Sequence, residues 1–154
     1  MEIINDLMRN KVLIVACLGY LISGILKVFI DGIVYKRFSI KSLIRSGGMP
    51  SSHTATVVSL AVSLGIYEGF SSYSFATATI LAIIVIHDAV GVRRETGRQA
   101  EILNKMMFES DAFNDIEFDK HLKEFVGHTP TQVFFGAIVG ILVGIIFSYL
   151  LKNA

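Results

Sequence analysis

Residues 131–151 read TQVFFGAIVGILVGIIFSYLL, an uncharged run as long as the roughly 20 residues that cross a bilayer as one helix. Gly136, Gly140 and Gly144 recur at every fourth position and share one helix face, where a neighbouring helix can approach closely. Working outward, three more stretches have the same character: 12–35, 54–67 (50–68 with its flanks) and 73–90. With 53% of residues apolar and 18% charged, the chain reads as a membrane protein. The expected fold is all-α: an integral membrane helical bundle of about four transmembrane helices. A polar loop carries an amphipathic surface helix, with Ile102, Leu103, Met106 and Met107 at helical spacing within 99–108. Residues 1–154 form one membrane-embedded domain. The first stretch is too long for a signal peptide and carries Lys27 and Asp31. Cys17 is the single cysteine, so no intrachain disulfide exists.

Charge distribution sets the expected topology. If all four stretches span, segments 36–52 and 91–130 share one side and hold Lys36, Arg37, Lys41, Arg45, Arg93, Arg94, Arg98, Lys105, Lys120 and Lys123. The other side holds Arg9, Lys11 and Lys152. Basic residues gather on cytoplasmic loops, which places both polar segments in the cytoplasm and both termini outside, in what reads as a bacterial plasma membrane protein. The formal net charge of +1 argues against nucleic acid as a partner. The acidic stretch 109–119 lacks periodicity and reads as a solvated loop.

Three segments carry chemistry. Gly47-Gly48-Met49-Pro50-Ser51-Ser52-His53 opens the second stretch, with Pro50 suited to a first helical turn. Hydroxyls, an imidazole and unpaired N–H groups meet there at a helix start, a place for phosphate-like anions, with Arg45 upstream as a charge clamp. An ordinary N-cap is the competing reading of Pro-Ser-Ser alone. In the first stretch Gly19, Ser23, Lys27 and Asp31 share a face. A charged pair inside a span is a functional-site hypothesis, the alternative being a lysine that snorkels to the headgroups. The third stretch ends in His87-Asp88-Ala89-Val90-Gly91-Val92-Arg93-Arg94, which can hold a phosphate or act as a positive stop at the membrane surface. Gly127-His128-Thr129-Pro130-Thr131-Gln132 opens the fourth, with His128 and Gln132 on the glycine face. That face is the expected route to any homo-oligomer. The topology puts His53 and His128 on one membrane side with Lys27, Arg93 and Arg94 around them, a constellation suited to phosphoryl transfer.

Pro50-Ser51-Ser52-His53 resembles the Pro-Ser-Gly-His motif of the type-2 phosphatidic acid phosphatase and vanadium-dependent haloperoxidase superfamily. Gly127-His128-Thr129-Pro130-Thr131-Gln132-Val133, followed by Gly136 and Gly140, resembles its third motif in a glycine-rich helix. With Asp88-Ala89-Val90-Gly91-Val92-Arg93-Arg94, the likeness is to a divergent branch of small membrane proteins and covers nearly the whole chain. The resemblance implies that His128 is a nucleophile forming phosphohistidine and His53 a general acid. Ser51, Ser52 and backbone N–H groups would hold phosphate oxygens, and no metal or cofactor takes part. This chain departs from the superfamily pattern in three places. Val34 stands seven residues after Lys27 where an arginine is expected, Leu122 stands six before His128 where another is expected, and Gln132 replaces an acid. Arg45, Arg93 or Arg94 would replace the arginines, and Asp31, Asp88 and Gln132 would support the site. The expected activity is hydrolysis of a lipid headgroup or isoprenyl phosphomonoester. The alternative is a non-catalytic phosphate-binding or transport protein that retains a degenerate site.

Overall fold

The computed structural model describes residues 2–36, 38, 43, 47–108, 121–122 and 127–153. Six helices run along these residues: α1 (Glu2–Arg9), α2 (Lys11–Tyr35), α3 (Ser52–Glu68), α4 (Tyr73–Val90), α5 (Val92–Phe108) and α6 (Pro130–Lys152). Side-chain oxygens open four of them, because the first N–H groups of a helix lack partners. Asn10 caps α2, Ser51 caps α3 and Ser72 caps α4, each accepting from a backbone N–H three residues on. Thr129 and Gln132 form a reciprocal capping box at α6. The cap at Ser51 corrects the reading of Pro50 as a first-turn residue: α3 starts at Ser52, and Pro50 lies before its cap. Residues 2–9, for which no element was expected, form α1.

The bundle is built inside out compared with a soluble protein. Its buried residues include Ser23, Ser51, Ser59, Ser63, Ser148, Lys27 and Asp31, together with alanines and glycines. Its exposed surface carries Leu21, Ile25, Phe29, Ile80, Ile84, Phe134, Ile141 and Leu150. Lipid is as apolar as leucine, so large apolar groups gain nothing by turning inward and small residues take the helix contacts. Three helical segments are long and apolar enough to cross a membrane: Lys11–Val34, Tyr73–Phe108, which runs through α4, and Pro130–Lys152. The fourth expected span is α3, whose 17 residues reach only about 25 Å against a hydrocarbon core of about 30 Å. It packs against α2, α4 and α6, and the hydroxyls of Thr56, Ser59 and Ser63 are satisfied within the helix or by α6.

Helices α3 and α6 run parallel along a seam of small residues. A Cβ on Gly136 would lie 2.6 Å from the Ser51 carbonyl, one on Gly140 2.8 Å from the Ala55 carbonyl, and one on Gly144 3.4 Å from the Ser59 backbone. Farther along, the Ser148 hydroxyl donates to that of Ser63 at 3.1 Å, and the Tyr67 hydroxyl donates to the Ser148 carbonyl. This corrects the expectation of a homo-oligomer through Gly136, Gly140 and Gly144: α3 of the same chain fills that face. Gly136→Val should therefore lower the thermal unfolding temperature in detergent, by the equivalent of about 1–3 kcal/mol of overpacking. The lipid-facing Ile141→Leu should leave it unchanged in the same scan.

The seam puts like ends together. Lys11 donates to the Leu151 carbonyl and Lys152 to that of Ile66, so the start of α2 and the ends of α3 and α6 meet at one end of the bundle. The starts of α3 and α6 and the ends of α2 and α4 lie at the other. The expected surface helix begins earlier than 99: α5 starts at Val92 and buries Gly97, Ala100 and Asn104. The Asn104 side chain donates to the Leu122 carbonyl and accepts from the Leu122 N–H, clasping that segment. Arg45 and the acidic stretch 109–119 lie outside the described residues.

Candidate functional site

Two helix N-termini, those of α3 and α6, converge at one end of the bundle, each with a histidine beside it. His53 sits in the first turn of α3 and is exposed, whereas His128 precedes α6 and is buried. Their rings lie edge to face with centroids 6.4 Å apart. Backbone bonds fix both supports. The Ser51 N–H donates to the Gln132 carbonyl, tying the start of α3 to α6, and the His128 N–H donates to the Ala89 carbonyl, tying it to α4. Gly127 makes that second approach possible, since a Cβ there would fall 2.5 Å from the Arg94 backbone.

Gln132 does two things at once. Its Oε1 accepts from the Thr129 N–H at 3.2 Å and lies 3.1 Å from His128 Nδ1. An oxygen that already accepts a backbone N–H can only accept from the imidazole, so Nδ1 carries the proton and Nε2 keeps its lone pair. The sequence signal for this was the Thr-x-x-Gln capping box, which the motif comparison alone did not use. Burial holds the His128 pKa below its ordinary value of 6.5. The bond to Gln132 opposes that shift, and the charges of Lys27, His53 and Arg93 add to it. His128 is therefore neutral at pH 7.

The remaining expected residues divide. Lys27 is only 2% exposed, and its methylene stem packs against Gly48, whose φ of +91° is one that glycine adopts without strain. The side chain turns toward the loop before His53 rather than out to the surface. Asp31, one turn farther along α2, is also buried. Arg93 donates from Nε to Asp88 Oδ2 at 2.6 Å. Asp88 is thus not the acid behind His128: Gln132 holds Nδ1, and Asp88 holds Arg93. Arg94 offers the site its backbone, under Gly127, while its side chain is exposed. Ser51 Oγ is occupied as the α3 cap, accepting from the Thr54 N–H and Thr54 hydroxyl. Ser52 Oγ is buried with no hydrogen-bond partner among the described residues, unusual for a buried hydroxyl.

What this arrangement can do follows from its parts. An imidazole lone pair, a second imidazole, a buried ammonium and a tethered guanidinium surround the positive ends of two helix dipoles. Such an end is suited to a tetrahedral oxyanion.

The chain is 34% identical, over 94% of its length and 98% of the relative's, to the uncharacterized membrane protein YuiD of Bacillus subtilis (strain 168). No solved structure matches it. The model of the Divergent PAP2 family matches residues 8–143, which include both histidine segments and the seam as far as Gly140. This integral membrane protein belongs to the Divergent PAP2 family.

Proposed function

We propose that this protein is a lipid phosphate phosphatase that hydrolyses a phosphomonoester at the membrane surface through a histidine nucleophile. The observation that carries the reading is the 3.1 Å contact of His128 Nδ1 with Gln132 Oε1, which assigns the proton to Nδ1 and the lone pair to Nε2, in a ring whose centroid lies 6.4 Å from that of His53. One phosphoryl group fits that spacing, with phosphorus ~3 Å from the attacking nitrogen and the leaving oxygen within hydrogen-bond reach of His53. His128 Nε2 attacks phosphorus, the P–O bond to the lipid alcohol breaks, and protonated His53 gives its proton to the departing oxygen. Water, deprotonated by the now neutral His53, then displaces phosphate from His128. Lys27 and Arg93 neutralise the equatorial oxygens, and Ser52 Oγ supplies a donor in a place where it otherwise has none. Arg45 and Arg94 complete the expected phosphate-binding set. Asp31 supports Lys27, and Asp88 positions Arg93. The single domain spans 1–154 with α3 as a fourth, shorter crossing, and the basic segments put the site on the cytoplasmic face.

Phosphate release by purified protein in lipid vesicles, from phosphatidic acid and isoprenyl phosphates, tests the proposal. Its pH profile is specified as well. Protonated His128 has no lone pair, so kcat/KM should fall on the acid side through an apparent pKa below 6.5, the direction that burial imposes. A profile whose acid limb lies above 6.5 would contradict the assignment.

The second reading is a phosphate-binding or transport protein. Gln132 favours it: an amide orients an imidazole but adds no charge to stabilise the imidazolium. Phosphate binding without release from any lipid phosphate would establish that reading.

A further inference from the structure

Among the helices, α5 has contacts with α4 alone among the described residues, yet its surface is not uniform. At about 100° per residue its side chains fall into three sectors roughly 120° apart. Gly97, Ala100 and Asn104 make the first and are buried against the protein. Arg94, Arg98, Glu101 and Lys105 make the second and are exposed, with Lys105 paired to Glu101 and Arg98 to Glu95. Ile102, Leu103 and Met106 make the third, with Val92, Glu95 and Gln99 nearer the start of the helix, and all of these side chains are exposed.

We propose that α5 lies along the bilayer surface at the histidine end of the bundle, its third sector sunk to the boundary between headgroups and acyl chains. The occupant of the apolar sector is lipid, for two reasons. First, α5 continues an interface already present: α4 presents Ile80, Ile83 and Ile84 outward as lipid-facing residues, and Gly91 alone separates its end from Val92. A helix that starts where a span ends starts at the headgroup layer. Second, four basic side chains against two acidic ones give α5 the sign that anionic headgroups attract. Water can then cover the charged sector and lipid the apolar one, while the protein covers the first. The docking also has a use. Gly127 seats on the backbone of Arg93 and Arg94, so the first turn of α5 supports the segment that carries His128. A helix held at headgroup depth holds that segment there with it.

Site-directed spin labelling tests this independently of any phosphatase activity. Full-length protein with Cys17→Ser would carry a single label at Ile102→Cys, Leu103→Cys or Met106→Cys, or at Arg98→Cys, Glu101→Cys or Lys105→Cys. In vesicles of phosphatidylcholine and phosphatidylglycerol, collision with oxygen, which partitions into lipid, is compared with collision with a water-soluble nickel chelate. The first three labels should show an oxygen-to-nickel ratio several-fold above that of the second three. Equal nickel access at both sets would overturn the proposal. So would dipolar broadening at 102, 103 and 106 that disappears on dilution with unlabelled protein, since a second copy would then cover the sector. All six positions are exposed, so the labels leave the fold intact.

Discussion

On the proposed mechanism, His128→Ala should abolish phosphate release, because it removes the Nε2 lone pair assigned to the attack on phosphorus. His53→Ala should cost about 10²–10⁴-fold on a lipid phosphate, the worth of a positioned general acid. The two losses should separate with leaving group. An aryl phosphate, whose phenolate departs without help, should restore much of the His53→Ala rate and none of the His128→Ala rate. Steady-state release with both substrates checks this directly, and equal rescue of the two variants would exchange or erase the assigned roles. The geometry gives a reason for the asymmetry. His128 is buried and locked by Gln132, as a nucleophile must be to attack from one direction, while His53 is exposed, where an alcohol can leave and water can enter.

Lys27→Met should weaken binding of phosphate or vanadate by roughly 10- to 100-fold, the range of one charged hydrogen bond at about 1.5–3 kcal/mol. Methionine keeps the stem that packs on Gly48, so membrane insertion should be retained. The same substitution carries a second signature. Lys27 is one of the charges that depress the His128 pKa, so its removal should move the acid limb of the pH profile upward. Isothermal titration with vanadate and the pH profile of the variant measure the two effects. Unchanged affinity with an unshifted limb would remove Lys27 from the site.

The parts of the fold that lipid selects were legible. Residues 12–35, 73–90 and 131–151 lie within α2, α4 and α6 but for a residue or so, because a bilayer permits one kind of backbone across its core. The helix at 54–67 was legible as a helix. Its extent was legible too, within two residues of 50–68, but the inward role of its serines and threonines was not, because such residues look the same in sequence as serines that cap. The short α1 was missed for a related reason. Its Ile3, Ile4, Leu7 and Met8 share a face, but two turns of periodicity stand out little beside the long apolar run that follows.

In the candidate site, the residue types came from the motifs, and their pairing did not. Nothing in the order of residues says that Asp88 reaches Arg93 rather than His128, since that depends on how α4 ends at Gly91. Ser51 and Ser52 are neighbours of the same type, yet one caps a helix and the other has a buried hydroxyl free of partners among the described residues. The capping rules favour a serine at that point without choosing between two in a row. Gln132 read as a weakened acid, although its oxygen also closes the first turn of α6.

The parallel seam between α3 and α6 behaves like a vernier. Gly136, Gly140 and Gly144 mesh with α3 at one fixed offset, and the two histidines are mounted at the ends of the scales so aligned. Sliding α6 by one position would advance it about 1.5 Å and turn it about 100°, taking the glycines off the Ser51 and Ala55 carbonyls and His128 away from His53 together. The intermediate settings are blocked by the same close backbone contacts that hold the native one. The spacing of the histidines and helix packing are thus one alignment, so the pair of histidines is either assembled with the bundle or absent with it.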